Sequence, residues 1–287
     1  MKLLVIGKNG QVASALKDIT SDDTIFLSKD ELDITNYKSI KESIEKERPD
    51  VILNLAAFTN VDNAESFRNE AESVNFHGPN FLSKICKDHL IKLIHLSTDY
   101  VFNGKKNFPY TPDDITNPLN WYGVTKRKGE IAILNNHPDS IILRTSWLYG
   151  EYGNNFLKKI LGIAKNDEIK VVNDQFGSPS YTRELSRVLL NIILDYKEGN
   201  NVFGIIHYSS GDQLSWYEFA KKIFDIACEE GYIESFPNLI SCSSNEFVTK
   251  ANRPSYSALD NLSTKPFNKS PLTTDNSIKL ALKNIFR

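Results

Sequence analysis

The sequence is poor in the residues that staple a fold or hold a metal. It has three cysteines in 287 residues, Cys86, Cys228 and Cys242. They lack the paired spacing of a zinc site, and an odd number cannot all form disulfides. Reduced thiols in a cytoplasmic protein are the expected state. The five histidines, His77, His89, His95, His137 and His207, are scattered and form no ligand pair. Neither sign of charge prevails: 34 Lys+Arg against 36 Asp+Glu leave a formal net charge of −2. That balance offers no electrostatic footprint for nucleic acid or an anionic membrane. No apolar run approaches the ~20 residues that span a bilayer. The run from Met1 to Ile6 is too short for the core of a secretory signal and leads straight into a glycine turn. Internal repeats and low-complexity stretches are missing too. With 40% hydrophobic and 24% charged residues, the chain reads as an ordinary globular protein. It is long enough for one large domain and a smaller companion.

What is present begins at the first residues. Lys2 to Ile6 is a short apolar run suited to a strand buried on both faces. Gly7-Lys-Asn-Gly10-Gln-Val-Ala13 follows and opens a helical pattern through Leu16 and Ile19. This G-x-x-G-x-x-A turn, set between strand and helix, is a dinucleotide-binding fingerprint. Its glycines let backbone approach a pyrophosphate, and the small third residue lets helix and strand pack closely. A second strand over residues 24–28 should end beside the adenosine ribose. Ser28 and Lys29 suit a 2′-phosphate there, whereas Asp30 opposes one. A helix follows over residues 36–47, capped by Asn36 or Thr35 and stopped by Pro49.

Residues 51–57 form the next core strand, ending in small residues past which a cofactor can lie. A long amphipathic helix is expected over residues 65–89, interrupted at Gly78-Pro79. Another strand, residues 91–96, runs into Ser97-Thr98-Asp99. Residues 108–120, with Pro109, Pro112 and Pro118, read as a polar loop. A helix bearing Tyr122 and a strand over 141–145 complete the alternation. Strands and helices alternating at these lengths predict an α/β fold with a doubly wound parallel sheet.

Tyr122-Gly-Val-Thr-Lys126 supplies the chemistry. A tyrosine and a lysine four apart lie on one helical face. A phenol has a reference pKa of about 10. A cation held close favours its phenolate, making it a usable acid or base for a carbonyl/alcohol pair. Thr98 can offer a second hydrogen bond to the same substrate oxygen. The spacing recurs at Tyr37/Lys41 and Tyr217/Lys221. Only Tyr122 follows a strand ending in Ser-Thr-Asp.

After Ser146 the texture changes. Residues 150–155 form a loop before a helix over 156–165, and residues 174–180 are polar, turn-rich and carry little core signal. A helix over 182–196, a strand over 205–208, a Ser215-capped helix to about Glu230 and a last helix over 277–285 follow. The expected division is a dinucleotide-binding domain over 1–147 and a mainly substrate-binding α/β domain over 148–287. Residues around 181–200 are expected to pack back on the first.

These stretches, together with Asn54-Leu-Ala-Ala-Phe-Thr-Asn-Val-Asp62, Ser97-Thr-Asp-Tyr-Val-Phe102, Arg144-Thr-Ser-Trp147, Asn154-Asn-Phe156, Asp174-Gln-Phe-Gly-Ser-Pro179, Ser215-Trp-Tyr217 and Arg253-Pro254 with Ser257 and Leu259, run in order from residue 7 to about residue 260. They resemble the extended short-chain dehydrogenase/reductase superfamily and, within it, the dTDP-4-dehydrorhamnose reductase family. The resemblance implies a Rossmann-type sheet and reduction of the C4 ketone of a dTDP-4-keto-6-deoxy sugar. It implies NADPH or NADH as hydride donor, and Ser28 and Lys29 point to NADPH, with NADH also accepted. Thr98, Tyr122 and Lys126 would be the catalytic trio. Gly7, Gly10, Gln11 and Val12 would hold the pyrophosphate, Asp33 and Ile34 the adenine, and Ala56, Ala57 and Thr59 the nicotinamide side. Val61, Asp99 and Trp147 would line the nucleotide-sugar site, although Trp147 has a second reading as a core aromatic.

The chain departs from the family pattern in two places. Ala13 replaces the third glycine, which the turn tolerates. Ala15 stands where some members carry a carboxylate that helps bind magnesium, which leaves both magnesium and a metal-bridged dimer open. The protein is expected to be a monomer or homodimer. Two rival readings come with the resemblance. One is a dehydratase or epimerase of the same superfamily, which would need an acid where Tyr100 stands. The other is a non-catalytic subunit related to the regulatory partner of methionine adenosyltransferase, against which the complete trio speaks.

Overall fold

The computed structural model describes residues 1–287 apart from Asn201, Phe236 and Lys269. The first half contains β1 (Leu3–Ile6), α1 (Gln11–Lys17), β2 (Ile25–Leu27), α2 (Tyr37–Glu47), β3 (Val51–Asn54), α3 (Val61–Ser66), α4 (Arg68–Glu72), α5 (Gly78–Asp88), β4 (Lys92–Thr98), α6 (Trp121–Asn136) and β5 (Ile141–Thr145). The second half contains β6 (Leu148–Tyr149), α7 (Phe156–Gly162), β7 (Glu168–Val172), β8 (Phe176–Gly177), β9 (Ser180–Tyr181), α8 (Thr182–Lys197), β10 (Gly204–Tyr208), β11 (Leu214–Ser215), α9 (Trp216–Glu229), β12 (Asn238–Cys242) and α10 (Thr274–Ile285).

Six of the strands form one parallel sheet in the order β10-β5-β4-β3-β1-β2. The chain leaves β1 toward β2 on one side and crosses back to β3 on the other. Between β1 and β3 the winding therefore reverses, and open α/β sheets bind ligands in the crevice at such a point. Alternating side chains fill both faces. Leu4, Ile6, Ile52, Leu93 and Ile142 meet Ile40 and Ile44 of α2 and Leu82 and Ile85 of α5. Leu3, Val5, Val51, Leu53, Ile94 and Leu143 meet α1 together with Leu185, Leu189 and Ile192 of α8. So α8 and β10, from the second half, complete the main sheet. A second core joins Leu157, Ile160, Ile169, Val171, Phe219, Ile223, Phe224, Ile278 and Leu282.

Two expectations fail. The helix expected over 65–89 breaks at Phe67 (φ −110, ψ 52), not at Gly78-Pro79. Ser73–His77 is a π turn running straight into α5, where Gly78 and Pro79 are the first residues. Gly78 N still donates to Ser73 O within the widened turn, and Pro79, which has no amide hydrogen, falls at the junction where the wide turn passes into α5. Asn75, in the π turn, donates to Phe58 O (3.1 Å) and Thr125 Oγ1 (3.2 Å) and accepts from Phe58 N (2.8 Å). The turn thus pins the segment after β3 to the helix carrying Tyr122. The second failure is residues 174–180. They contain β8 and β9, and Gly177 to Ser180 are buried. Ser146 Oγ donates to Ser178 O at 2.6 Å. The buried residues here are glycine, serine and proline, which leave no hydrophobic pattern to read.

Candidate active site

A cavity of about 560 Å³ opens at the carboxyl ends of β1, β3, β4 and β5. Gly10, Gln11, Val12 and Ala13 form one wall, Leu55, Ala57, Thr59 and Val61 a second, and Leu96 to Tyr100 with Tyr122 and Lys126 a third. Thr145 to Leu148, Gly153, Asn154 and Trp216 close it. The structure thus brings eleven expected residues to one space: Gly10, Gln11, Val12, Ala57, Thr59, Val61, Thr98, Asp99, Tyr122, Lys126 and Trp147.

The glycine turn fits a dinucleotide. Gly7 has φ +97, and a Cβ on it would lie 2.8 Å from Ala56 N, so only glycine lets β1 turn this close to the end of β3. Gly10 caps α1 without a side chain. The helix's first amides are therefore left to whatever enters the cavity.

Tyr122 sits in the first turn of α6, whose cap Asn120 accepts from Gly123 N at 2.8 Å. A Cβ on Gly123 would collide with the Tyr100 carbonyl oxygen, so glycine there lets α6 press against the end of β4. The Tyr122 ring is half-buried and its hydroxyl enclosed. Burial pushes the phenol up to about 12, against the pull of the Thr98 hydroxyl. Thr98, rather than Lys126, is the side chain that faces the phenol in this structure. Lys126 is 1% exposed and turned to β4, with Nζ 2.7 Å from Leu96 O and 3.1 Å from His95 Nε2. Burial pulls it down to about 8.

Thr98 Oγ1 gives its one hydrogen to Asp99 Oδ1 at 3.0 Å. Among the described residues Thr145 Oγ1 is buried without a hydrogen-bond partner, leaving a polar atom in the cavity wall for a ligand, while the Asp99 carboxyl feels the side chains of Ser257 and Thr98. Burial pushes the Asp99 carboxyl up to about 7. A carboxyl whose pKa is higher folded than unfolded costs stability as pH rises between the two values. Asp99→Asn is therefore expected to match wild-type thermal stability near pH 4 and to exceed it increasingly toward pH 7. Melting curves that stay parallel across that range would reject the assignment.

Trp147 has φ +45 and stacks on Trp216 with centroids 3.4 Å apart and planes at 5°. The pair is both a cavity wall and a contact with the second core through Phe219, so the two sequence readings of Trp147 merge. Trp216 was given no role from sequence, although Ser215-Trp-Tyr217 was already a marked stretch. The same holds for Arg253, which bridges to Asp62 at 2.6 Å and latches the C-terminal segment onto α3.

Six expected residues lie outside this cavity: Gly7, Ser28, Lys29, Asp33, Ile34 and Ala56. Lys29 is exposed at the end of β2. Asp33 Oδ1 accepts from Thr35 N (2.9 Å) and Thr35 Oγ1 (2.8 Å), and Ile34 is buried against Gly78. The acid engaging the end of β2 is Glu31, not Asp30. It accepts from Ser28 N at 2.8 Å and pairs with Lys8 at 3.3 Å, and the Ser28 amide holds its carboxyl down at about 2. The turn over residues 28–31 brings Glu31 back, which strand alternation alone cannot foresee.

The arrangement is matched along the whole chain. Residues 1–286 fit the model of the RmlD substrate binding domain family. A dTDP-4-dehydrorhamnose reductase of Aggregatibacter actinomycetemcomitans is 41% identical over 265 residues, 90% of either chain. The chain belongs to the dTDP-4-dehydrorhamnose reductase family. Family members of known structure share its fold. The Clostridium acetobutylicum enzyme superposes with a TM-score of 0.88 at 34% identity, covering 99% of both chains. A Bacillus anthracis member, solved in complex with NADP, gives 0.86 at 34% identity over 100% of this chain and 99% of that one.

Proposed function

We propose that this protein reduces the C4 ketone of dTDP-4-dehydro-L-rhamnose, or a close dTDP-4-keto-6-deoxy sugar, giving dTDP-L-rhamnose. The observation that carries this reading is the pair of hydroxyls, Thr98 and Tyr122, set in one cavity with the glycine turn and the stacked tryptophans. Family membership supports it.

When bound, the reduced nicotinamide supplies the hydride for C4. Gly7, Gly10, Gln11 and Val12 would hold the pyrophosphate, and Ala56, Ala57 and Thr59 would flank the nicotinamide. The Tyr122 hydroxyl gives its proton to O4. Thr98 hydrogen-bonds the same oxygen as charge develops on it. Lys126, once released from β4, would hold the nicotinamide ribose. Asp99, Val61 and Trp147 line the nucleotide-sugar side. Tyr100 follows Asp99 where a dehydratase needs an acid, and burial raises its phenol well above the ordinary value, so it offers no base. The three cysteines are all free, which supports the cytoplasmic reading. Among the described residues no helix is long and apolar enough to cross a membrane.

Absorbance loss of NADPH on adding a dTDP-4-keto-6-deoxy sugar tests the reading. Turnover to the 4-hydroxy product supports it. NADPH left unconsumed with an authentic substrate would reject it.

Cofactor choice rests on Lys29 and Ser28, with Lys8 close by and engaged with Glu31. NADPH is expected to serve at least as well as NADH. Lys29→Glu should lower kcat/KM for NADPH relative to NADH by roughly five- to tenfold, the lower range for a charge pair open to solvent. An unchanged ratio would make Lys29 a solvated loop residue.

A further inference from the structure

Three buried polar side chains lie in a row beneath the cavity, and only the last has a part in the proposed reaction. Asn54 Nδ2 is 2.9 Å from His95 Nδ1, and His95 Nε2 is 3.1 Å from Lys126 Nζ. Asn54 and His95 are fully buried on β3 and β4. Counting protons along the row fixes their states. The Ala56 N–H donates to Asn54 Oδ1 at 3.1 Å. That turns the Asn54 amide so that its Nδ2, a donor only, faces His95. His95 Nδ1 therefore accepts, and a neutral ring keeps its one proton on Nε2. This N–H points at Lys126 Nζ and needs a lone pair there. An amine has one and an ammonium has none. The amine still has hydrogens to give to Leu96 O at 2.7 Å.

We propose that His95 is a positioning residue that holds Lys126 as a neutral amine on β4 in the cofactor-free protein, and that cofactor binding frees Lys126 to take one proton from solvent. The inference rests on the cofactor reading given above. An ammonium in the same place would meet the Nε2–H of His95. Relief would need the ring proton moved to Nδ1 and the Asn54 amide turned over, setting Nδ2 against the Ala56 N–H. The lysine's proton would thus cost a hydrogen bond at Ala56. A charged ring is no alternative, since burial and the neighbouring Lys126 hold His95 well below its ordinary range. Burial pulls the lysine down to about 8, so the neutral amine prevails above that pH, where the proton is counted. The charged group opposing this is Glu130, one turn along α6, and its charge is met by Arg144 from β5 and by Arg127. Tyr122 and Asp99, the other titratable groups of this wall, both turn to the Thr98 hydroxyl.

Titration calorimetry of the full chain with NADPH, in two buffers of different ionisation enthalpy, reads the proton directly. Near pH 9 the 2′-phosphate is fully ionised, its second pKa being about 6. A lysine returning toward its usual value of about 10.4 then takes up most of one proton. Wild type should absorb between half a proton and one per NADPH bound. His95→Gln presents a carbonyl to the lysine and should bring uptake near zero. Asn54→Asp should do the same, because a carboxylate takes the ring proton on Nδ1 and leaves Nε2 to accept from an ammonium. NADPH binding with equal heats in both buffers overturns the inference and leaves the cofactor reading intact. Absence of any binding overturns both. Variants that fold, shown by far-ultraviolet circular dichroism, yet take up the wild-type proton also overturn it. Should neither fold, the wild-type stoichiometry decides alone.

Discussion

Tyr122→Phe is expected to lower kcat by about 10²–10⁴-fold, the usual range for loss of a general acid, while NADPH affinity stays close to that of wild type. The ring itself packs: it meets Tyr100 edge-on, with centroids 6.0 Å apart and planes at 75°, a contact phenylalanine keeps. What disappears is the hydroxyl beside Thr98. With its phenol held near 12, Tyr122 is fully protonated at neutral pH. It is therefore poised as a donor, which suits ketone reduction. The reverse reaction, alcohol oxidation, needs the phenolate and should quicken steadily as pH rises above neutral. Tyr37→Phe and Tyr217→Phe serve as controls. Tyr37 is 44% exposed on α2, and Tyr217 packs at the second core on α9, so both should turn over nearly as wild type. A Tyr122→Phe enzyme with more than half the normal kcat would end the assignment.

The choice among three identical spacings shows what the sequence can carry. The i, i+4 rule is local and holds for all three pairs. Only one follows a buried strand, and a strand's end is visible in its apolar run. The glycine turn was legible for the same reason, since backbone constraints leave their residue types in plain order. The partner of Lys126 was not legible. His95 lies mid-strand within an apolar run, and its contact with Lys126 spans 31 positions of sequence. The pairing of β7 with β12 was missed because it joins strands some seventy residues apart. Their alternation is half exposed and short, and hydrophobic period alone cannot separate such a segment from loop. Trp216 stood in a marked stretch, but its stack on Trp147 depends on how α9 is set against the main sheet. Long-range contact, rather than local propensity, hid each of these.

Arg144→Met is the change expected to cost most stability. Arg144 opens the Arg-Thr-Ser-Trp stretch on β5, and the structure gives it a buried partner. Nε and Nη2 each reach a carboxylate oxygen of Glu130 at 2.8 Å, with the two side chains 1% and 0% exposed. Ser97 Oγ donates to the same carboxylate at 2.6 Å, and Arg127 pairs with it at 2.9 Å. Removing Arg144 leaves the buried carboxylate with only Ser97 and the partly exposed Arg127, and breaking a buried pair costs up to about 3–5 kcal/mol. Glu130→Leu combined with Arg144→Met should lose less than the single variant, because no charge is then stranded. Burial alone would raise the Glu130 carboxyl, but Arg144 outweighs it and holds the pKa below the usual value. The contribution of the pair is therefore complete above about pH 4.5 and fades as pH falls through the lowered value. In the variant Glu130, left with Arg127 and Ser97, regains its proton more easily, which relieves its penalty in acid. Both effects narrow the gap from wild type at low pH, and urea unfolding at pH 7.5 and pH 4 measures it. A single variant within about 0.5 kcal/mol of wild type at pH 7.5, the usual range of an inconsequential surface change, would show the pair to be idle. The consequence reaches the chemistry through register: Arg144 stands opposite Ser97 and Thr145 opposite Thr98. Loosening this part of the β4–β5 ladder frees Thr98, so the variant should lose kcat beyond what its unfolded fraction explains.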